Sequence, residues 1–396
     1  MTFRTVDSRG GALRVVQVGA GGMGRAWLRA LADSADVELV GIVDLDLDAA
    51  RAGAEHHGDA SLPVSTDLGA LIADLAADAV VDVTVPVAHH PVTTQSLFAG
   101  LPVLGEKPVA LDVAEGLSLA AAAEVTGELF MVSQSRRYDD HLVALKQQVA
   151  ELGEVGVVTT EFFKAPHFGG FREQMDDVLL LDMAVHPFDS VRWLLDADPL
   201  SVWCESFSPS WSWYRGDAAA NAVFEFEGGV RYAYSGSWCS PGAETSWNGS
   251  WRVGGSAGTA LWDGDEAPVL ALADETGASS SPRLSRLATV GDGIEGSLAA
   301  FVGALRTGAV PHGEVHENVM SLAMVEAAIE STRSGQRVVI DDLLERALAT
   351  AIEREARDDV RARLESWTSV RAALQAVPTS AADPTTPAAT TAGATS

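Results

Sequence analysis

The stretch VVQVGAGGMGRAWLRAL, residues 15–31, decides the fold. Its first four residues read as a buried strand, and WLRAL repeats apolar side chains at helical spacing. Between them Gly19, Gly21 and Gly24 form G-x-G-x-x-G. Such a triplet means little alone, but directly after a strand and at the start of a helix it has a physical use. Gly19 allows the tight turn, Gly21 lets a ligand approach the backbone, and Gly24 lets helix and strand pack closely. With Gly22 and Met23 they open a helix whose free N–H groups and dipole favour an anion, here a dinucleotide pyrophosphate.

Working outward, residues 14–133 alternate apolar runs with helical patterns. The runs are Leu13–Val18, Val37–Asp44, Ala79–Val85, Val103–Leu104 and Leu129–Val132. This is the signature of a doubly wound parallel sheet, an N-terminal Rossmann domain. Asp44 closes the second run, 20 residues beyond Gly24, where a carboxylate grips ribose hydroxyls. Asp46 and Asp48 follow and the nearest base is Arg51, so a 2′-phosphate would meet negative charge. The expected cofactor is NAD rather than NADP.

After Ser133 the texture changes. VGVVTTEFF, SVWCESF, NAVFEFEGGVRYAYSGSW and SWRVGG alternate as strands do, and EGG marks a hairpin. A helix interrupts them at about Asp182–Leu195, two more are expected at 293–308 and 316–334, and RVVID reads as a closing strand. The whole is α/β plus α+β: a Rossmann domain over 1–134, then an open, mostly antiparallel sheet domain over 135–341 for substrate binding and oligomerisation. A charged helical extension covers 342–377, and a Pro/Ala/Thr-rich tail, 378–396, reads as disordered.

Composition narrows the partners. Lys plus Arg is 27 against 55 Asp plus Glu, a net charge of −28, which repels nucleic acid and anionic membranes. No apolar run is long enough to span a bilayer. The two cysteines, Cys204 and Cys239, fit a reducing cytoplasm as buried apolar residues. No histidine and cysteine spacing makes a zinc site, so no metal is assigned.

Only three lysines occur, Lys107, Lys146 and Lys164, in a chain that otherwise uses arginine. Lysine can give up a proton and arginine cannot, so each marks a place to look for chemistry. Lys107 follows the fourth run, at the carboxyl edge where ligands bind in open α/β sheets. Asp182 and His186, four apart, share a helix face, and His suits transfer of a hydroxyl proton.

Four ordered motifs carry a family resemblance over about residues 14–341. They are the Gly19–Gly24 turn, Val85-Pro86 with His90 beyond it, Glu106-Lys107-Pro108, and LLLDMAVHPFDSVRWLL with Asp182 and His186. Together the chain resembles the Gfo/Idh/MocA oxidoreductases, with Val87 standing where many members have asparagine. SRRYDDHLVALK is similar to the matching segment of inositol dehydrogenases. The resemblance implies a cis Lys107–Pro108 peptide, and cofactor contacts from Pro86, His90, Glu106 and Lys107. It also implies a catalytic set of Lys107, Asp182 and His186. Arg136, Lys164, His167 and Arg172 are expected on the substrate side, which would suit an anionic or hydroxyl-rich ligand. Eight of the ten tryptophans lie between Trp193 and Trp262, as a carbohydrate platform, a core or a subunit contact would require.

The implied activity is oxidation of a secondary hydroxyl on a sugar, glycoside or cyclic polyol, in a homodimer or homotetramer. Two rivals share the motifs. One is an NAD-requiring glycosidase that oxidises, eliminates and re-reduces. The other is a non-catalytic sugar or dinucleotide sensor, which would have no need of Lys107, Asp182 and His186 together.

Overall fold

The computed structural model describes residues 3–6, 11–274, 283–284 and 293–376; the tail 378–396 and residue 377 lie outside them. Six strands form the first sheet: β1 (Leu13–Val18), β2 (Val37–Val43), β3 (Val64–Ser65), β4 (Ala79–Asp82), β5 (Val103–Gly105) and β6 (Phe130–Val132). All pair in parallel, in the order β3-β2-β1-β4-β5-β6. Helices α1 (Gly22–Asp33), α2 (Leu47–His57), α3 (Leu68–Leu75), α4 (Pro86–Phe98) and α5 (Val113–Thr126) connect them. With helices on both faces, every residue of β4 is buried, which is why these strands read as continuous apolar runs. The strand order reverses between β1 and β4, and their carboxyl ends open a crevice there.

The second sheet follows α6 (Asp140–Val149). Its strands are β7 (Val155–Phe163), β8 (Pro199–Phe207), β9 (Ala219–Phe226), β10 (Arg231–Ser237), β11 (Ser250–Gly255), β12 (Gly258–Trp262), β13 (Val269–Leu272), β14 (Arg283–Leu284) and β15 (Val338–Val339). The order is β14-β13-β12-β11-β7-β10-β9-β8-β15. Pairing is antiparallel except between β7 and β10. Helix α7 (Val185–Leu195) and, later in the chain, α9 (Val315–Ser334) cover one face; Phe188 packs edge-on against Phe224 and Tyr234 in that core. Helix α8 (Gly293–Thr307) returns to the first sheet, where Leu298, Phe301 and Leu305 share a core with Trp27, Leu28 and Leu31.

Three expectations are corrected here. The closing strand is only Val338–Val339, because Ile340 already starts helix α10 (Ile340–Arg354) with its side chain fully buried. The charged extension is not one helix but α10, α11 (Asp358–Glu365) and α12 (Val370–Gln375), broken where Glu355 and Ser369 turn extended. Nor does the helix at Asp182 run uniformly: Leu179–Ala184 is a wider π-turn, and α-helical winding begins at Val185. The extension straps the two sheets' layers together. Glu124 on α5 accepts both Arg363 nitrogens at 2.6 and 2.8 Å and the Trp367 indole at 3.1 Å. At its far end Gln375 bonds Asp198, just before β8.

Candidate active site

At the tip of β1 the glycines meet the space their motif requires. Gly19 adopts φ +99°, and a Cβ there would stand 2.4 Å from the Val83 carbonyl oxygen. A Cβ on Gly24 would stand 2.4 Å from the carbonyl oxygen of Gly19, so helix and turn touch backbone to backbone. Gly21 and Gly22 face open space, and no side chain caps the start of α1. That leaves N–H donors aimed into the crevice, which fits a pyrophosphate. Met23, Leu45 and Val85 are exposed around the same opening and give it apolar edges.

Asp44 buttresses the turn. Its Oδ2 accepts the Ala20 N–H at 2.7 Å and its Oδ1 accepts the Asp46 N–H at 2.9 Å. Each oxygen keeps a second lone pair, so the carboxylate can also accept ribose hydroxyls. Arg51, the nearby base, is bonded to Asp48 at 2.8 Å. The acceptors of Asp44 therefore suit the ribose hydroxyls of NAD, and the nearby base Arg51 is already paired with Asp48.

The Lys107 turn is held from two sides. Glu106 accepts the Trp27 indole N–H at 2.8 Å and the Lys107 backbone N–H at 3.1 Å, tying α1 to the turn. The Lys107–Pro108 peptide is cis. On the other side His89, 2% exposed, has Nδ1 2.7 Å from the Pro108 carbonyl and Nε2 3.1 Å from the Thr84 carbonyl. Carbonyls only accept, so the ring is the donor in whichever of these contacts its tautomer makes. Buried Asp82 lies beside the ring; burial pushes its carboxyl up, against the pull of His89 and of hydrogen bonds from Thr84 and Thr93.

This places His89, not His90, at the turn. His90 points the other way, its Nε2 3.1 Å from Ser118 Oγ on α5, and Ser118 in turn bonds Glu355 of the extension. Successive helical residues diverge by about 100°, so a motif histidine and its neighbour cannot share one job. Pro86 occupies the first turn of α4, where its missing N–H costs nothing.

Lys107 reaches the second lobe. Its Nζ donates to the Asp182 carbonyl at 3.2 Å and lies 3.6 Å from Asp182 Oδ1. Asp182 Oδ2 accepts Arg172 Nε–H at 2.6 Å. The π-turn widens the helix where Asp182 projects, a feature common at functional sites. His186, one turn on, keeps Nδ1 buried without a partner. Burial, then the positive charges of Arg136 and Lys107, holds His186 well below its ordinary value, so the ring is neutral near pH 7. The trio thus sets a lysine and an aspartate beside a neutral imidazole.

A buried charge network fixes α7 beneath it. Arg137 forks onto Asp189 at 2.6 and 2.8 Å and onto Glu317 at 2.7 and 2.9 Å, while Arg192 adds Asp198 and Ser321. Deleting one partner of such a network costs about 3–5 kcal/mol. Arg137 is therefore structural, although its neighbour Arg136 faces the site.

The substrate-side residues surround the trio unequally. Arg136 Nη2 donates to the Trp247 carbonyl at 2.6 Å; burial pulls its guanidinium down to about 10, and it stays charged. Among the described residues no carboxylate stands within ion-pair distance of it. Lys164 bonds Glu244 at 3.1 Å and lies over the Trp247 ring at 5.0 Å. Arg172 lies over Phe168 and Phe171 at 5.2 and 5.0 Å. His167 is stacked on Trp213 at 3.8 Å, as a wall rather than a free base. The sequence reading missed His89 and Trp247: an adjacent histidine masked the first, and nothing local distinguishes one tryptophan among ten.

A cavity of about 720 Å³ lies apart from this crevice, lined by Lys146, Leu194, Asp196 and Glu227. Lys146 is spent there on the Trp193 carbonyl and Asp196.

Comparison with known proteins agrees with this geometry. Residues 13–134 match the family described as an oxidoreductase family with an NAD-binding Rossmann fold, GFO_IDH_MocA, and residues 142–261 match the GFO/IDH/MocA C-terminal domain. An uncharacterised protein, y4oX of Sinorhizobium fredii, is 29% identical over 84% of this chain and 97% of its own length. The inositol 2-dehydrogenase of Rhizobium meliloti is 25% identical, covering 82% of this chain and 98% of that protein. In structure, an Agrobacterium radiobacter oxidoreductase solved with NAD+, L-tartaric acid and magnesium superposes with a TM-score of 0.74 at 20% identity, over 84% of this chain and 99% of that one. With the glycine turn, the Lys107 turn and the Asp182–His186 helix all in place, the chain belongs to the GFO/IDH/MocA family and is an NAD-binding oxidoreductase.

Proposed function

We propose that the protein oxidises a secondary hydroxyl of a sugar, glycoside or cyclic polyol. The carrying observation is the convergence of Lys107, Asp182 and neutral His186 beside the dinucleotide crevice. Relatives support the substrate class: besides the inositol dehydrogenase, the D-apiose dehydrogenase of Paraburkholderia graminis is 24% identical over 86% of this chain.

Bound NAD supplies the hydride acceptor. Gly19–Gly24 and Asp44 hold the cofactor, and Glu106 with His89 fixes the turn from which Lys107 projects. Lys107 donates a hydrogen bond to the reacting oxygen and favours its developing negative charge. Neutral His186 takes the hydroxyl proton, a role an imidazolium could not fill. Asp182, anchored by Arg172, accepts a hydrogen bond from the substrate and sets which hydroxyl faces His186.

The open face of the second sheet supports a homodimer or homotetramer. Trp203, Val223, Ala233, Thr159, Arg252 and Leu261 are paired across six strands on the side away from α9, with Trp203 and Leu261 exposed. An open sheet face carrying exposed Trp203 and Leu261 is suited to pairing with a second copy of the chain. Among the described residues no helix is long and apolar enough to cross a membrane. The two buried free cysteines suit the cytoplasm, and the net charge of −28 argues against a nucleic-acid partner.

The test counts NADH against oxidised sugar and released aglycone across a panel of sugars, glycosides and polyols. One NADH per oxidised product is expected. Aglycone release without net NADH would replace the dehydrogenase by the redox-assisted glycosidase, and no turnover at all would favour the sensor.

A further inference from the structure

An aromatic wall continues outward from the catalytic residues. Phe168 is 45% exposed, Phe171 60% and Trp247 47%, although each is large and apolar. Phe168 leans on Trp247 with ring centroids 6.4 Å apart and is backed by buried Trp238 at 5.2 Å. Two side chains join this wall to the site. Arg172 bonds Asp182 with its Nε while its guanidinium covers Phe168 and Phe171. Arg136, one of the two cations acting on His186, holds the Trp247 carbonyl. The wall is therefore linked by one side chain to Asp182 and by another to the surroundings of His186.

We infer that Phe168, Phe171 and Trp247 form a subsite for a second ring, so that the substrate is a glycoside or disaccharide rather than a free monosaccharide or cyclitol. This rests on the dehydrogenase reading above and specifies its substrate.

The polar groups interleaved with the rings select the occupant. Lys164, paired with Glu244, lies over one face of Trp247, and Arg172, paired with Asp182, lies over Phe168. A wholly apolar ligand would strip water from these charges without replacing its hydrogen bonds, which is costly. A pyranose ring offers C–H faces to the aromatics and equatorial hydroxyls to Lys164, Glu244 and Arg172. A free monosaccharide in the reacting position would leave all three rings in water.

The experiment compares D-glucose, methyl β-D-glucoside and cellobiose, with matching galactose and xylose series, by kcat/KM from NADH formation. Disaccharide quenching of tryptophan fluorescence in the NAD-loaded enzyme gives an independent binding readout. In at least one series the glycoside with a second ring should exceed the monosaccharide by about tenfold or more. Phe168→Ala and Trp247→Ala should each cut that ratio by about 3- to 10-fold, the worth of one aromatic contact. Phe168→Tyr, which keeps the ring, should preserve it. Because the readout is a ratio within one protein, a general loss of folded enzyme does not mimic the effect.

A ratio near one in the unmutated enzyme, with steady NADH formation, overturns the subsite and leaves the dehydrogenase standing. So does a ratio that both alanine variants leave unchanged, or alanine variants that only dissociate an oligomer. Absence of NADH from every member of the panel overturns the dehydrogenase reading and this subsite with it.

Discussion

His89 Nδ1 stands 2.7 Å from the carbonyl oxygen of Pro108, so the helix that follows the fourth strand directly grips the turn carrying Lys107. The opposite ring nitrogen holds the Thr84 carbonyl, making one buried side chain the brace between two loops of the crevice. Replacing it by asparagine shortens the side chain and withdraws the ring from both buried carbonyls, and loss of a donor there costs about 1–3 kcal/mol. His89→Asn should lower kcat by about tenfold through misplacement of Lys107, with KM changed less, and should lower the thermal midpoint. A kcat within twofold of the unmutated enzyme would show that the brace is dispensable.

Catalysis should separate from cofactor binding. Lys107→Ala or His186→Ala should reduce turnover by roughly 10²–10⁴-fold while NAD still binds, as followed by calorimetry. Lys107→Arg should fail too, since the larger fork cannot take the ammonium's position beside Asp182. Full activity in either alanine variant would remove that residue from the chemistry.

The pH profile should show the low proton affinity of His186. Burial, Arg136 and Lys107 all disfavour its charged form, so the base stays competent as pH falls below its ordinary value of 6.5. The acid limb of kcat/KM should therefore lie below pH 6.5. Arg136→Gln removes one of the two repelling charges and should move that limb upward. An unmutated limb at or above 6.5 would contradict the assigned environment.

Cofactor preference should rest on Asp44. NAD should bind more tightly than NADP, and Asp44→Ala should narrow the gap, because a charge-assisted hydrogen bond contributes about 1.5–3 kcal/mol. Titration of both cofactors by fluorescence decides it; equal affinity in the unmutated protein is the contrary result.

Stability should carry the mark of His316. It is fully buried, with Nδ1 2.8 Å from Glu314 and Nε2 3.5 Å from Glu124, the residue to which the strap is tied. Burial alone would lower it, but the two carboxylates raise it to about 9. A raised folded value stabilises fully below the unfolded value near 6.5, and the gain is lost as pH rises through 9. The interval corresponds to at most about 3 kcal/mol. The urea midpoint should fall between pH 6 and 9.5, and His316→Gln should flatten that fall. A variant whose midpoint follows the unmutated curve would show that the strap's charges do not depend on this ring.

The sequence alone determined the parallel sheet and the glycine turn, because each depends on short-range pattern, while Lys107, Asp182 and His186 were singled out through ordered motifs shared with a family. A glycine needing φ +99° and a carboxylate at a strand end are legible wherever strand and helix periods are. Other features needed the tertiary structure. Which of His89 and His90 braces the turn depends on a carbonyl 19 residues away along the chain. The strap depends on Arg363 finding Glu124, 239 residues apart. The aromatic wall depends on Arg136 reaching the carbonyl of Trp247, 111 residues on. Local spacing encodes strands, turns and helix faces; contacts closed by packing exist only once the two sheets stand together.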